Sequence, residues 1–131
     1  MRIQVKDFMT SPVFTAVESD KVNNVISLMK TKSIHAIPVV RISKQLPAND
    51  IKILGIVTAS DLSGDVDGNI ALSDVMSSRV YVIHKDSAAN AAAKMMLKNR
   101  VHHLVVMDDG EIVGMISSLD FVKLVADHTL E

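Results

Sequence analysis

Cysteine and tryptophan are absent from this sequence, and aromatic residues of any kind are scarce, with three Phe and one Tyr in 131 residues. Without cysteine there are no disulfides, no thiolate zinc sites and no thiol nucleophile. That fits a reducing compartment. With so few aromatics the core must be built from Val, Ile, Leu, Met and Ala, and no alternation of aromatic with basic residues marks a platform for stacking bases. An excess of one charge is also missing, since 14 basic side chains face 15 acidic ones. Nucleic-acid binding relies on clustered Lys and Arg to neutralise phosphates, and no such cluster occurs, so no nucleic-acid partner is expected. No segment reaches the ~20 apolar residues that cross a bilayer. The opening Met1-Arg2-Ile3-Gln4-Val5-Lys6-Asp7 lacks the apolar run of a signal peptide. The expectation is a soluble cytoplasmic protein with no membrane partner.

What remains is 48% apolar and 22% charged, a globular composition in a chain long enough to bury one core. The sequence also repeats itself. Displaced by 67 positions, Ile3 meets Ile70, Asp7 meets Asp74, Met9 meets Met76, Asn23 meets Asn90, Met29 meets Met96 and His35 meets His102. The register then shifts by eight, because the first copy carries extra residues within 41–52. Beyond them Gly55 meets Gly114, Thr58 meets Ser117 and Asp61 meets Asp120. This divides the chain into a first repeat over 1–63 with an insertion at 41–52, a linker at 64–69 (Gly-Asp-Val-Asp-Gly-Asn) and a second repeat over 70–131.

Each copy reads as β-α-β-β-α. Residues 13–17 and 80–83 are β-rich. Val22, Val25, Ile26 and Met29 lie at helical spacing, as do Ala89, Ala92, Ala93 and Met96. Ser19 or Asp20 is positioned to cap the first helix, and Asp86 or Ser87 the second. The runs Ala36–Val40 and Leu104–Met107 read as buried strands. Asp109-Gly110 marks a tight hairpin turn, stretched in the first copy by the insertion. A terminal helix is expected from about Ser60 and again over 119–126, with Leu119, Val122 and Val125 or Ala126 as its apolar stripe. One copy of about sixty residues leaves a sheet face uncovered, so a second is expected to pair with it.

The strand-to-helix junctions carry the chemistry. Gly55-Ile-Val-Thr58-Ala-Ser60-Asp61 and Gly114-Met-Ile-Ser117-Ser-Leu-Asp120 share glycine, two apolar residues, a hydroxyl and, three residues later, a carboxylate. A hydroxyl and free backbone N–H groups at such a junction suit a phosphate or other polar ligand. A carboxylate one turn later can accept from both hydroxyls of a ribose. Ser or Thr three residues before an acid is also the signature of an ordinary capping box; its duplication, each time behind a glycine, argues for more. The glycines leave room for a ligand or a second chain segment to approach.

Taken together the chain resembles a pair of cystathionine-β-synthase-type (CBS) repeats, also called a Bateman module. The likeness rests on Asp7-Phe-Met-Thr10 and Asp74-Val-Met-Ser77, on Ile34-His35-Ala36-Ile-Pro38-Val-Val40 and Val101-His102-His103-Leu-Val-Val106, and on the two junctions above. It implies an α+β fold, a tandem pair of β-α-β-β-α repeats with pseudo-two-fold symmetry, and a regulatory function. An adenine nucleotide (AMP, ADP or ATP) or S-adenosylmethionine would occupy clefts between the repeats and alter their orientation or assembly. By this resemblance one cleft would use Thr58, Ser60 and Asp61 with Ser77, Val80, Val101, His102 and His103. The other would use Ser117 and Asp120 with Thr10, Val13, Ile34, His35, Ala36 and Pro38. The resemblance further implies a homodimer and a regulated protein acted on in trans. Val105 stands where the first copy has Pro38, and the insertion lies near the Thr58 strand; these are departures from the usual pattern.

No catalytic residues are expected, because Ser117 and Thr58 have no identifiable base and Asp61 and Asp120 belong to separate copies. No metal site or required cofactor is expected. The histidines match no zinc spacing, and adjacent His102 and His103 on a strand point to opposite faces. The methionines read as core filling. Lys94, Lys98 and Arg100 read as a solvated helix face, where Lys98 or Arg100 could reach a phosphate. The alternative to a sensor is a ligand-free dimerisation module.

Overall fold

A computed structural model describes residues 2–42 and 51–128. Residues 43–50, which make up most of the 41–52 insertion, and the last three residues lie outside this description. The fold is mixed α+β, with three α-helices and two three-stranded sheets among the described residues, in the order β1(Ala16–Val17), α1(Val22–Lys32), β2(Ala36–Ile42), β3(Ile51–Thr58), β4(Val82–His84), α2(Ala89–Asn99), β5(His103–Asp108), β6(Glu111–Ser117) and α3(Ser118–Asp127). Among the described residues no helix is long and apolar enough to cross a membrane.

The chain forms two compact units, residues 14–80 and residues 1–13 with 81–131. In each, a short strand runs parallel to a central strand that pairs antiparallel with a third, β1-β2-β3 and β4-β5-β6. Each unit draws on both sequence repeats. A single 3-10 turn at Val5–Asp7 ties back to the 81–131 segment through Val5 N–H to the Ser87 carbonyl (2.8 Å) and Lys6 N–H to Lys85 (2.9 Å). Its counterpart Leu72–Asp74 ties to the 14–80 segment through Leu72 N–H to Asp20 (2.8 Å) and Ser73 N–H to Glu18 (3.1 Å).

Two clusters of buried side chains follow this grouping. Ala16, Val22, Val25, Met29, Ile37, Val39, Val57, Leu62 and Leu72 fill one; Val5, Ile83, Ala92, Met96, Leu104, Val106 and Ile116 fill the other. The central strands read as continuous apolar runs because residues on their opposite faces, Pro38 and Val40 or Val105, are buried as well. Pro38 has a further effect. Val105 donates its N–H to the Tyr81 carbonyl (3.0 Å), and β4 pairs with β5 from Val82 onward. Pro38 has no N–H to give at the matching place, and β1 pairs only from Ala16. The Asp109-Gly110 turn has φ of 51° and 80°, as a type I′ hairpin requires. At the base of the insertion the β2–β3 ladder continues through Arg41 with Lys52 and Ile42 with Ile51.

Three local expectations change. Neither α1 nor α2 has a side-chain cap; the N-cap residues are Lys21 and Ala88. The helix N–H groups instead meet backbone carbonyls, Val22 to Ile70 and Asn23 to Gly68 at 3.0 Å each, and Ala89 to Ile3 at 2.9 Å. Tertiary pairing removes the need for a polar cap. Asp20 and Asp86 take other partners, the Val17 N–H and the Lys6 ammonium. The helix expected from Ser60 is a run of turns, in which Asp61, Leu62 and Ser63 each donate to the carbonyl three residues back. Gly64, at φ 80°, follows directly and leaves no length for a helix to propagate. Finally, the Leu119, Val122 and Val125 stripe of α3 is exposed (56, 61 and 52%), because α3 sets Phe121 against Phe8, with ring centroids 5.0 Å apart.

Candidate functional site

The two junction motifs end β3 and β6. In the 14–80 unit the Thr58 hydroxyl accepts from the Asp61 N–H (3.2 Å). Asp61 Oδ2 accepts from the Thr58 N–H and from its hydroxyl, each at 2.9 Å. In the other unit the Ser117 hydroxyl accepts from the Asp120 N–H (3.3 Å), and Asp120 Oδ2 accepts from the Ser117 N–H (2.8 Å) and hydroxyl (3.3 Å). The second is a capping box at the start of α3. The first has identical connectivity, yet no helix follows it.

The carboxylates differ in their surroundings. Asp61 is exposed, and its Oδ1 meets no donor among the described residues. Asp120 is 9% exposed, and its Oδ1 accepts from the Thr10 hydroxyl at 3.3 Å. The matching hydroxyl, on Ser77, accepts instead from the Arg79 N–H (3.2 Å).

Both glycines make room for a chain segment. Ile56 and Ser77 exchange two backbone hydrogen bonds of 2.9 Å, and Thr10 and Met115 exchange bonds of 2.8 and 3.0 Å. A β-carbon on Gly55 would stand 2.7 Å from the Ser77 carbonyl oxygen and 2.8 Å from Met76 Sδ. One on Gly114 would stand 2.9 Å from Met9 Cγ. The segments carrying Thr10 and Ser77 are thereby fixed beside the strands that carry Ser117 and Thr58.

Of the residues singled out from the sequence, Thr58, Ser60, Asp61, Ser77, Val80, Ile34, His35, Ala36 and Pro38 belong to the 14–80 unit. Ser117, Asp120, Thr10, Val13, Val101, His102 and His103 belong to the other. Within the first, Ala36 pairs with Thr58, and the His35 carbonyl accepts from the Ala59 N–H (2.8 Å). Ile34 packs on the core, and Ser60 lies exposed in the turn. Within the second, His103 pairs with Ser117, and the His102 carbonyl accepts from the Ser118 N–H (3.0 Å). His102 Nδ1 lies 3.1 Å from the Ser118 hydroxyl. Val101 packs on the core, where its N–H closes the end of α2 on the Met96 carbonyl (3.1 Å). Among the described residues no three His, Asp or Glu side chains converge as metal ligands would.

Sequence reading did not anticipate an ionic cluster in the second unit. Lys6 Nζ lies 2.9 Å from Asp86, Lys85 Nζ 3.2 Å from Asp108, and His84 between the two acids at 3.7 and 3.5 Å. The Lys6 hydrogen bond draws the Asp86 carboxyl below its ordinary value, and Asp86 in turn raises Lys6. These residues lie in three separate stretches of sequence, so no motif announces them.

Comparison with known proteins agrees with this architecture. The CBS domain pattern matches residues 5–67 and again 72–127. The inosine-5′-monophosphate dehydrogenase of Methanocaldococcus jannaschii is 32% identical over 112 residues, which cover 85% of this chain and 21% of the dehydrogenase. The chain spans less than half the length of the first curated relatives it matches. Among solved structures, a Vibrio cholerae protein designated AcuB superposes with a TM-score of 0.75 at 28% identity, covering 97% of this chain and 93% of that one. The CBS domain pair of protein MJ0100, solved with 5′-methylthioadenosine and S-adenosyl-L-methionine, shares the fold with a TM-score of 0.80 at 22% identity, covering 97% and 98%. With both repeats matched along nearly its whole length, the chain belongs to the CBS-domain family as a tandem pair.

Proposed function

We propose that this chain is a non-catalytic regulatory module whose ligand carries an adenosine group, as AMP, ADP, ATP or S-adenosylmethionine. The observation that carries the reading is the Thr58–Asp61 arrangement. A capping box ordinarily stabilises a helix start, but this one closes on a turn with no helix behind it. Its carboxylate is exposed and keeps one oxygen without a described donor, which suits a ribose hydroxyl. The ligands bound to MJ0100 favour the adenosyl class. Against catalysis, the Thr58 and Ser117 hydroxyls bond to the carboxylates of their own boxes, and neither is joined to an imidazole among the described residues.

Occupancy biases a conformational or assembly equilibrium by the ligand's differential affinity for its states, and a regulated protein reads the change. Thermal unfolding with AMP, ADP, ATP and S-adenosylmethionine tests the reading, because a ligand of the folded state raises the midpoint as its concentration passes Kd. Stabilisation by at least one, lost in Asp61→Ala while the fold survives, is expected; no shift with any of the four rejects it.

A second reading rests on the exposed stripe Leu119, Val122 and Val125, an apolar helix face that suits self-association into a homodimer. It accommodates a purely structural module as readily as a ligand-regulated one.

A further inference from the structure

The two repeats match in sequence at the hydroxyl and at the carboxylate, so they present two equivalent candidates for the same ligand. The structure treats them differently. Ser77, the counterpart of Thr10, has its hydroxyl turned to the Arg79 N–H and makes no bond to Asp61. Thr10 donates its hydroxyl to Asp120 Oδ1, while Oδ2 is taken twice by Ser117. Asp120 is also nearly out of solvent, whereas Asp61 is exposed.

We infer that Thr10 closes the Asp120 end of the second unit, so that the chain takes one adenosyl ligand, held through Asp61. A ribose diol approaching Asp120 has to displace the Thr10 hydroxyl and unseat a segment held by two backbone bonds to Met115. A diol approaching Asp61 displaces no donor among the described residues from Oδ1. Thr10 is thus a residue that sets stoichiometry. This inference rests on the adenosyl-ligand reading for its consequence, but the closure itself belongs to the free protein.

The test therefore has two arms, both on the full chain. In the first, AMP is titrated calorimetrically into the wild type, Asp61→Asn and Thr10→Val. One AMP per chain is expected, with a loss of about tenfold or more in Asp61→Asn, where one charge-assisted hydrogen bond is removed. In Thr10→Val a second AMP is expected to enter. Two AMP per wild-type chain, or a stoichiometry of one retained in Thr10→Val, overturns the inference. The second arm needs no ligand, and labels carboxyl groups with a carbodiimide and an amine, read by mass spectrometry. Asp61 is expected to label faster than Asp120 in the wild type, with Thr10→Val raising the Asp120 rate and leaving Asp61 unchanged. Equal rates in the wild type reject the closure even if Thr10→Val does not fold. If AMP binds nowhere, the adenosyl reading fails for AMP, and the labelling arm still decides whether Thr10 closes the second unit.

Discussion

Gly55 and Ser77 lie so close that a β-carbon on the glycine would stand 2.7 Å from the serine carbonyl oxygen. The contact sits beside a reciprocal pair of backbone bonds between Ile56 and Ser77, and Gly114 repeats it against Met9 and Thr10. Neither glycine is needed for a left-handed conformation; each is needed for the space it leaves. Gly55→Ala and Gly114→Ala should each destabilise the chain by about 1–3 kcal/mol through overpacking. Urea unfolding followed by far-ultraviolet circular dichroism, in a protein without tryptophan, measures this. A change under about 0.5 kcal/mol, the size of a surface substitution, would mean that the segment can move aside.

Ser33 ends α1 at φ 53°, and Arg100 ends α2 at φ 55°, each a non-glycine residue in the left-handed region. The next N–H in each case, on Ile34 or Val101, reaches back to Met29 or Met96, as in a Schellman motif. Because this backbone costs an L-residue about 1–2 kcal/mol and glycine gives back part of that as chain entropy, Ser33→Gly should stabilise by about 0.5–1 kcal/mol. The same unfolding measurement checks it; a loss of stability would mean that the serine side chain holds its turn.

Lys6 and Asp86 join the first residues of the chain to the turn before α2. Asp86 is lowered below 3.8, so its contribution is present above that pH and disappears as pH falls through the lower folded value. Lys6 is raised above 10.5, so its contribution is present below that pH and disappears as pH rises through the higher folded value. Asp86→Asn should therefore be less stable than the wild type across the neutral range, and the two should converge in acid well below 3.8. Both groups face solvent, so high salt should shrink the difference. Unfolding midpoints at neutral and acid pH, with and without salt, decide it. A gap that persists in acid assigns the effect to something other than the ion pair.

Leu72 and Val5 are fully buried at matching places in the two repeats, each in the cluster filled mainly by the other repeat. Leu72→Ala should cost about 2–5 kcal/mol, as a cavity in a close-packed core does. Hydrogen exchange should then accelerate in α1 and β2, whose Val22, Val25, Met29, Ile37 and Val39 share that cluster. Acceleration confined to the region around Leu72 would show that the linkage is only local.

Val122 lies on an exposed apolar face of α3. If this face mediates self-association, sedimentation should show a dimer for the wild type and a folded monomer for Val122→Glu. A wild type that stays monomeric at high concentration removes that role from the stripe.

Much of the fold is legible along the chain, because its signals are local. The helical spacing of Val22, Val25 and Met29 and the Asp109-Gly110 turn each involve residues a few positions apart, and the period-67 repeat shows the same local pattern twice. The junction motifs are legible for the same reason, since Thr58 and Asp61 are one turn apart. The caps of α1 and α2 were not, because Ile70, Gly68 and Ile3 supply the missing acceptors from distant sequence. The α3 stripe also misled. Spacing shows that an apolar face exists, but Phe8, far away in sequence, decides which side of the helix turns inward.

The sequence by itself determined the strands, three of the four expected helices and the duplicated pair of hydroxyl and carboxylate, since backbone preference and side-chain period act over a few residues. Tertiary structure alone decided that Leu72 and Val5 complete each other repeat's core, and that Thr10 reaches Asp120 while Ser77 leaves Asp61 open. Two copies with the same motif become unequal there, because a hydrogen bond between residues 110 positions apart depends on where the chain returns, which no local pattern encodes.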